Sequence, residues 1–198
     1  MRIKRSLRAD QADQFSSATC GRAAIPVRHP LLRDALVIAS LDPTVRSIDY
    51  LPTARSSSGS TDVDAIVVER GAVRRFLDVI EARPRRSIAR HLLVADALLE
   101  IGLLPWTMSE AEILGEPRWS NARTVWAYAG HAVPIGTRMQ VVGALTDEGA
   151  MPLGDLLGRL RGDRDPAPAV MAMACMGLIE LDLVAAPIGP ATMVRSGP

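Results

Sequence analysis

The sequence predicts an α/β protein in two parts, a mixed β-sheet with helices against it and then a smaller α+β unit. Three observations predict it. Apolar residues recur at helical spacing after Pro30 and again after Ser87. Between them, two arms rich in Val and Ile, Thr61 to Val68 and Phe76 to Pro84, flank a turn at Glu69-Arg70-Gly71 and read as a β-hairpin. From about Pro134 the pattern becomes short helical runs followed by two strands. An order of helix, strand, hairpin, helix and strand suits a mixed sheet covered by helices.

Residues 1–28 show no sustained periodicity and are rich in Ser, Gln, Ala and Arg, which predicts a flexible basic arm. Residues 29–133 form the first domain. Leu31, Leu32, Ala35, Leu36, Ile38 and Ala39 share a helical face up to Leu41, and Asp42-Pro43 ends the run because proline disfavours helix in the residue before it. Val45 to Leu51 reads as a strand and Ser56-Ser57-Ser58-Gly59-Ser60 as a loop leading into the hairpin. From Ser87 to Ile101, Ile88, His91, Leu92, Ala95, Leu98 and Leu99 fall on one helical face, with Gly102 placed as the C-cap. Leu103 to Thr107 reads as a strand, and Ser109 with Glu112 as a capping box. In residues 134–198, Thr137 to Thr146, Pro152 to Leu160 and Asp165 to Met176 are helical runs, and Ile179 to Leu183 and Thr192 to Val194 are strands. Three helices followed by a two-stranded ribbon describe a winged helix-turn-helix.

Composition narrows the classes of function. A chain of 198 residues can bury a substantial core without staples. Its two cysteines, Cys20 and Cys175, support neither a disulfide framework nor a cysteine-rich zinc site, and suit a reducing cytoplasm. His29, His91 and His131 are too scattered for zinc. The basic residues Arg2, Lys4, Arg5 and Arg8 precede polar residues rather than an apolar core, which argues against a secretory signal. No apolar run spans a bilayer. The formal net charge of +1 gives no sign of nucleic acid by itself, but Arg83, Arg85, Arg86, Arg90 and His91 follow the hairpin without an intervening acid. Lys4 is the only lysine.

The chemistry-bearing feature is the hairpin. Asp64 and Glu81 sit where one strand begins and the next ends, a placement that brings two carboxylates together. Hard divalent cations such as Mg2+ or Mn2+ prefer carboxylate oxygens, and metal-dependent nucleases use that preference to activate water and neutralise phosphate charge.

In these residues the chain resembles the TnsA-type transposon endonucleases, members of the PD-(D/E)XK nuclease superfamily with an added winged-helix domain. The likeness covers about residues 31–195. Leu41-Asp42-Pro43-Thr44-Val45 resembles the link from first helix to first strand, and Tyr50-Leu51-Pro52 falls where the family often has glutamine and proline. Val63-Asp64 falls where the family has its Pro-Asp signature, Glu81-Ala82-Arg83-Pro84 resembles the Glu-x-Lys motif, and Gly177 to Leu183 resembles the strand after the third wing-domain helix. The resemblance implies a restriction-endonuclease-like sheet and a metal-dependent DNA endonuclease acting in transposition with a transposase or other DNA-processing partner. Asp64 and Glu81 would hold Mg2+ or Mn2+, Arg83 would take the place of the lysine, and Asp34 on the first helix would be the auxiliary acid. A homodimer is compatible with a nuclease that cuts one strand per site.

Several residues depart from the pattern. Arg83 keeps its proton and cannot act as a general base. Leu51 stands for the glutamine and Val63 for the proline, and Asp34 is one methylene shorter than a glutamate. An alternative register places Asp78-Val79-Ile80 over the motif and leaves it with no basic residue. These departures define a second expectation, a catalytically degenerate nuclease-fold DNA-binding or adaptor protein.

For DNA contact, Arg85, Arg86 and Arg90 and the later Arg159, Arg161 and Arg164 are the candidates, positioned for phosphate rather than base edges. The third helix of the wing unit, Pro166 to Met176, has no basic side chain, which reads as a core or protein-docking helix rather than a recognition helix. Trp106, Trp119, Trp126, Tyr128 and the Met171, Met173, Met176 group read as packing.

Overall fold

A four-stranded mixed sheet organises the first two thirds of the chain. The computed structural model describes residues 13–21, 24–57, 59–162 and 165–197. The first elements are β1 (Asp13–Phe15), β2 (Ile25–Val27), α1 (Pro30–Ser40), β3 (Val45–Ser56), β4 (Gly59–Arg70), β5 (Val73–Val79), a 3-10 turn (Ile80–Ala82), α2 (Ile88–Glu100) and β6 (Leu104–Met108). The sheet order is β3-β4-β5-β6, with the first three strands antiparallel and β6 parallel to β5.

Local chemistry sets the boundaries. His29 caps α1 by accepting the Leu31 N–H at its Nδ1, 3.2 Å away, and Pro30 occupies a first-turn position where its missing N–H costs nothing. The β4–β5 turn closes at Gly71, whose φ of 58° is open to glycine without a Cβ clash. Ser87 caps α2, and Gly102, at φ 77°, follows it. The expected loop at residues 56–60 is instead the tight end of a long hairpin, with Ser56 paired to Gly59. Glu100 at the end of α2 holds that tip, accepting the Ser57 N–H at 2.6 Å and its hydroxyl at 2.8 Å. A tertiary anchor thus extends strand pairing through residues with little strand preference of their own.

Strand alternation splits the sheet between two layers. Val63, Ala65 and Val67 of β4 face α2 and pack with Val94, Ala97 and Leu98. Ile66 and Val68 face the other way into a larger cluster with Leu36 and Ile38 of α1. Part of the expected flexible arm belongs to this larger cluster. β1 and β2 pair as an antiparallel ribbon, Phe15, Ile25 and Val27 are buried, and the Phe15 ring stacks on Trp126 with centroids 5.2 Å apart. Three spaced apolar side chains therefore hold β1 and β2 on the body despite the polar composition around them. Residues 1–12 lie outside the described residues.

The remaining elements are α3 (Glu110–Ile113), α4 (Arg118–Trp126), α5 (Ile135–Glu148), β7 (Met151–Pro152), α6 (Leu153–Arg159), α7 (Ala167–Cys175), β8 (Ile179–Leu181) and β9 (Met193–Ser196). The strands form a small sheet in the order β7-β9-β8. Ser109 and Glu112 make the expected capping box at α3. Residues 169–175 of α7 are all buried, so this apolar helix is a core element. Burial also raises the Cys175 thiol to about 11 and makes it a packing group rather than a nucleophile. No helix among the described residues is long and apolar enough to cross a membrane.

α4 has no clear apolar period in the sequence, yet it carries the key polar contact of this half. Asn121 is 2% exposed. Its Nδ2 donates to the carbonyls of Leu183 (3.0 Å) and Ala186 (2.8 Å), and its Oδ1 accepts the Ile188 N–H at 2.8 Å. One side chain thus satisfies three backbone groups of the β8–β9 connection. Asn121→Ala is expected to lower unfolding free energy by about 3 kcal/mol, because each buried polar group left unpaired costs about 1–3 kcal/mol. The exposed neighbour Thr124→Ala should stay within about 0.5 kcal/mol of wild type in the same urea titration.

Candidate functional site

The site begins with a break in the β3–β4 ladder. Leu51 pairs with Ala65 and Thr53 with Asp62, so Val63 and Asp64 together stand opposite Pro52. Proline has no N–H to donate, and a bulge is one of the few ways a sheet accommodates it. Asp64 takes the strain, with a φ of 53°, the only positive value at a non-glycine position among the described residues. Aspartate tolerates this left-handed region better than most side chains. Arg86 and Arg90 brace the bulge by donating to the carbonyls of Val63 and Asp62, each at 3.0 Å.

Each oxygen of the partly exposed Asp64 carboxylate has one partner. Oδ2 accepts Nη1 of Arg28 at 2.9 Å, and Oδ1 accepts the Tyr50 hydroxyl. Burial and then this hydrogen bond to a carboxylate push the Tyr50 phenol from 10.0 up to about 12, against the smaller opposing effect of Arg28.

The second carboxylate is Asp78, near the end of β5 and beside Thr107 of β6. It is held by a guanidinium fork. Arg83 donates from Nε at 2.8 Å and from Nη2 at 2.6 Å, and the Thr107 hydroxyl lies at 3.4 Å. The hydrogen bonds to Asp78 raise the Arg83 guanidinium above its ordinary value, fixing its positive charge. Asp64, Asp78, Arg83, Arg86 and His91 line one small cavity of about 140 Å³, with an apolar wall from α2.

Glu81 and Asp34 do not line this cavity. β5 ends at Val79, and the chain enters the 3-10 turn, which carries Glu81 away to accept the Glu110 N–H at 3.0 Å in the first turn of α3. Asp34 sits half-buried on α1. Asp64 and Asp78 thus line the same cavity, and Arg83 returns to Asp78 from beyond the strand. Asp78 has a signal in the sequence, since it alternates with Phe76 on the α2 side of the strand. Tyr50 and Arg28 have none that local pattern reveals.

As they stand, Asp64 and Asp78 are each paired with an arginine, so a divalent ion, which needs open oxygen ligands, would have to displace Arg28 and Arg83 to reach them. Among the described residues, no group of three or more His, Cys, Asp or Glu is placed to hold a metal ion.

The chain matches no known family model and no curated protein sequence.

The arginines expected at DNA divide by environment. Arg86 and Arg90 are tied to β4, and Arg159 pairs with Glu148. Arg85 is exposed, and so is Arg161, whose backbone is fixed by Gln140. Arg164 lies outside the described residues. Two larger cavities, of about 430 and 470 Å³, lie apart from the carboxylates, between Leu41-Asp42-Pro43 and β8. There Asp42 pairs with Arg70 and Arg118 at 3.4 and 3.5 Å.

With only two tyrosines in the chain, the Tyr50–Asp64 contact can be read spectroscopically. Phenolate absorbance from one tyrosine is expected only near pH 12. In Asp64→Asn that step should move down but stay above the ordinary phenol value, because the charged acceptor is gone while burial, the larger cause, remains. The fold-stabilising effect has a defined sign: a raised phenol stabilises the fold below its unfolded value near 10, and that contribution is lost as pH rises through about 12.

Proposed function

We propose that this chain is a TnsA-like nuclease-fold protein that no longer hydrolyses phosphodiester bonds, and that it serves as a DNA-binding or adaptor subunit beside a transposase or other DNA-processing partner. The observation that carries this reading is the pair of arginine contacts on the carboxylates, Arg28 on Asp64 and Arg83 on Asp78. A nuclease of this type requires open carboxylates and a lysine that can exchange a proton; here Ile80 falls at the basic position of the Asp78 register and Arg83 neutralises the acid instead.

The order of elements supports the nuclease-like fold: α1, the three antiparallel strands β3 to β5, then α2 and the parallel β6. The later order, α5, β7, α6, α7, β8 and β9 with a three-stranded sheet, supports a winged-helix reading of residues 134–198. Because α7 is buried, DNA contact falls to exposed arginines such as Arg85 and Arg161, which position a duplex through phosphates without reading its sequence.

A second reading, the active Mg2+- or Mn2+-dependent endonuclease, is favoured by one specific observation. Asp64 keeps a strained left-handed backbone and shares a cavity with Asp78, and such strain concentrates at functional sites. That reading needs both arginines to release their carboxylates.

Nicking of supercoiled plasmid in Mg2+ or Mn2+, with a gel-shift assay on the same preparation, separates the two. The expected result is DNA retention without nicking, and a shallower salt dependence of binding in Arg85→Ala/Arg161→Ala, the slope falling by about one unit for each phosphate that an arginine no longer neutralises. Nicking by wild type that vanishes in Asp64→Ala would establish the endonuclease instead.

A further inference from the structure

α2 is apolar on two sides. Val94, Ala97 and Leu98 are buried against the sheet, while Ile88, Leu92 and Leu99 are 82%, 58% and 52% exposed. With the half-buried Ala95, which also borders the cavity, Ile88, Leu92 and Leu99 recur at intervals of four, three and four, the spacing of a coiled-coil seam. The buried row already satisfies packing onto β3 and β4, so the second row has no role within one chain, and a contiguous apolar row of this kind marks an interface.

Charge placement identifies the occupant. Beside the seam stand His91 on one flank and Asp96 on the other, five positions later; both are exposed and have no side-chain partner among the described residues. In two parallel helices packed about a two-fold axis along the seam, the flank residue before one core position meets the opposite flank residue five positions on in the partner. That offset is the His91-to-Asp96 offset, and two-fold symmetry repeats the contact on the other side.

We propose that α2 is a homodimerisation surface, pairing in parallel with α2 of a second copy through Ile88, Leu92, Ala95 and Leu99 and through two His91–Asp96 contacts. The two sheets lie on the outer sides of the helix pair. His91 also lines the carboxylate cavity, so pairing brings the partner's Asp96 to the edge of that cavity. A seam of three helical turns lies at the small end of interface sizes, below about 1,200 Å² in total, so the dimer is weak and concentration-dependent. The proposal does not depend on whether the protein cuts or only binds DNA.

Sedimentation velocity over a concentration series tests it on the full chain. The weight-average mass is expected to climb from 21.3 kDa toward twice that value, while Leu92→Arg, an exposed position that does not threaten the core, stays at 21.3 kDa throughout. His91→Asp should weaken the dimer by placing acid against acid, and His91→Asp/Asp96→His should restore it. Orientation is read by Leu99→Cys in a Cys20→Ser background: mild oxidation links the two copies only if the helices run parallel, because an antiparallel pair separates these positions by most of the helix length. A monomer at every concentration, a dimer indifferent to Leu92→Arg, or a dimer in which Leu99→Cys does not cross-link would each overturn the proposal.

Discussion

A single backbone constraint, the missing N–H of Pro52, shapes the site. A regular β3–β4 ladder would continue strict alternation to the end of β4. Opposite Pro52 the ladder instead takes two residues against one, and Asp64 is turned into the left-handed region in the middle of β4. There it meets Tyr50 from β3 and Arg28 from the segment before α1, and still borders the cavity beneath α2. Arg86 and Arg90 then become structural residues, because the carbonyls of Val63 and Asp62 that the bulge displaces need donors.

Electrostatics follows from that geometry. Two carboxylates near one small cavity repel each other unless cations stand between or beside them. In many hydrolytic sites a divalent ion does this and supplies chemistry as well. Here guanidinium groups do it. Arg83 forks onto Asp78 with Nε and Nη2, and Arg28 reaches Asp64. Each guanidinium supplies a single positive charge, against the two of a divalent ion, and brings no open coordination position and no exchangeable proton near neutral pH. Both aspartates border the same cavity, and each carries its own guanidinium partner. The Arg28 contact is the more solvated of the two, with 67% of the Arg28 side chain exposed, so it contributes little stability and acts mainly as a positioner.

Much of the architecture was legible because the signals were local. Pro30 and Asp42-Pro43 bracket α1, Ser87 and Gly102 bracket α2, Gly71 closes the hairpin and Ser109 with Glu112 opens α3. The misses are of another kind. β1 and β2 are three residues each, too short for any period, and hold on through Phe15 against Trp126. α4 is organised around a buried Asn121 rather than an apolar stripe, and the Ser57 tip of the β3–β4 hairpin depends on Glu100 far along the chain. In the site, Asp64 was expected at the head of a Val-rich strand, but β4 begins at Gly59 and Asp64 lies at a bulge within it, set by Pro52 opposite. Its partner was not legible, because the choice between Asp78 and Glu81 turns on where β5 stops, and a 3-10 turn before Pro84 ends it two residues short of Glu81. Arg28 and Tyr50 are joined to Asp64 only by the three-dimensional fold.

Arg28 and Arg83 stand on Asp64 and Asp78 where a metal-dependent site would place a divalent cation. Electron paramagnetic resonance of Mn2+ titrated with the protein tests this arrangement most directly, since free Mn2+ gives a sharp signal that binding removes. The expected result is that wild type leaves the free signal essentially unchanged at near-stoichiometric Mn2+, while Arg28→Ala/Arg83→Ala depletes it. Depletion by wild type that disappears in Asp64→Ala would contradict this arrangement and mark the carboxylate pair as a working metal site.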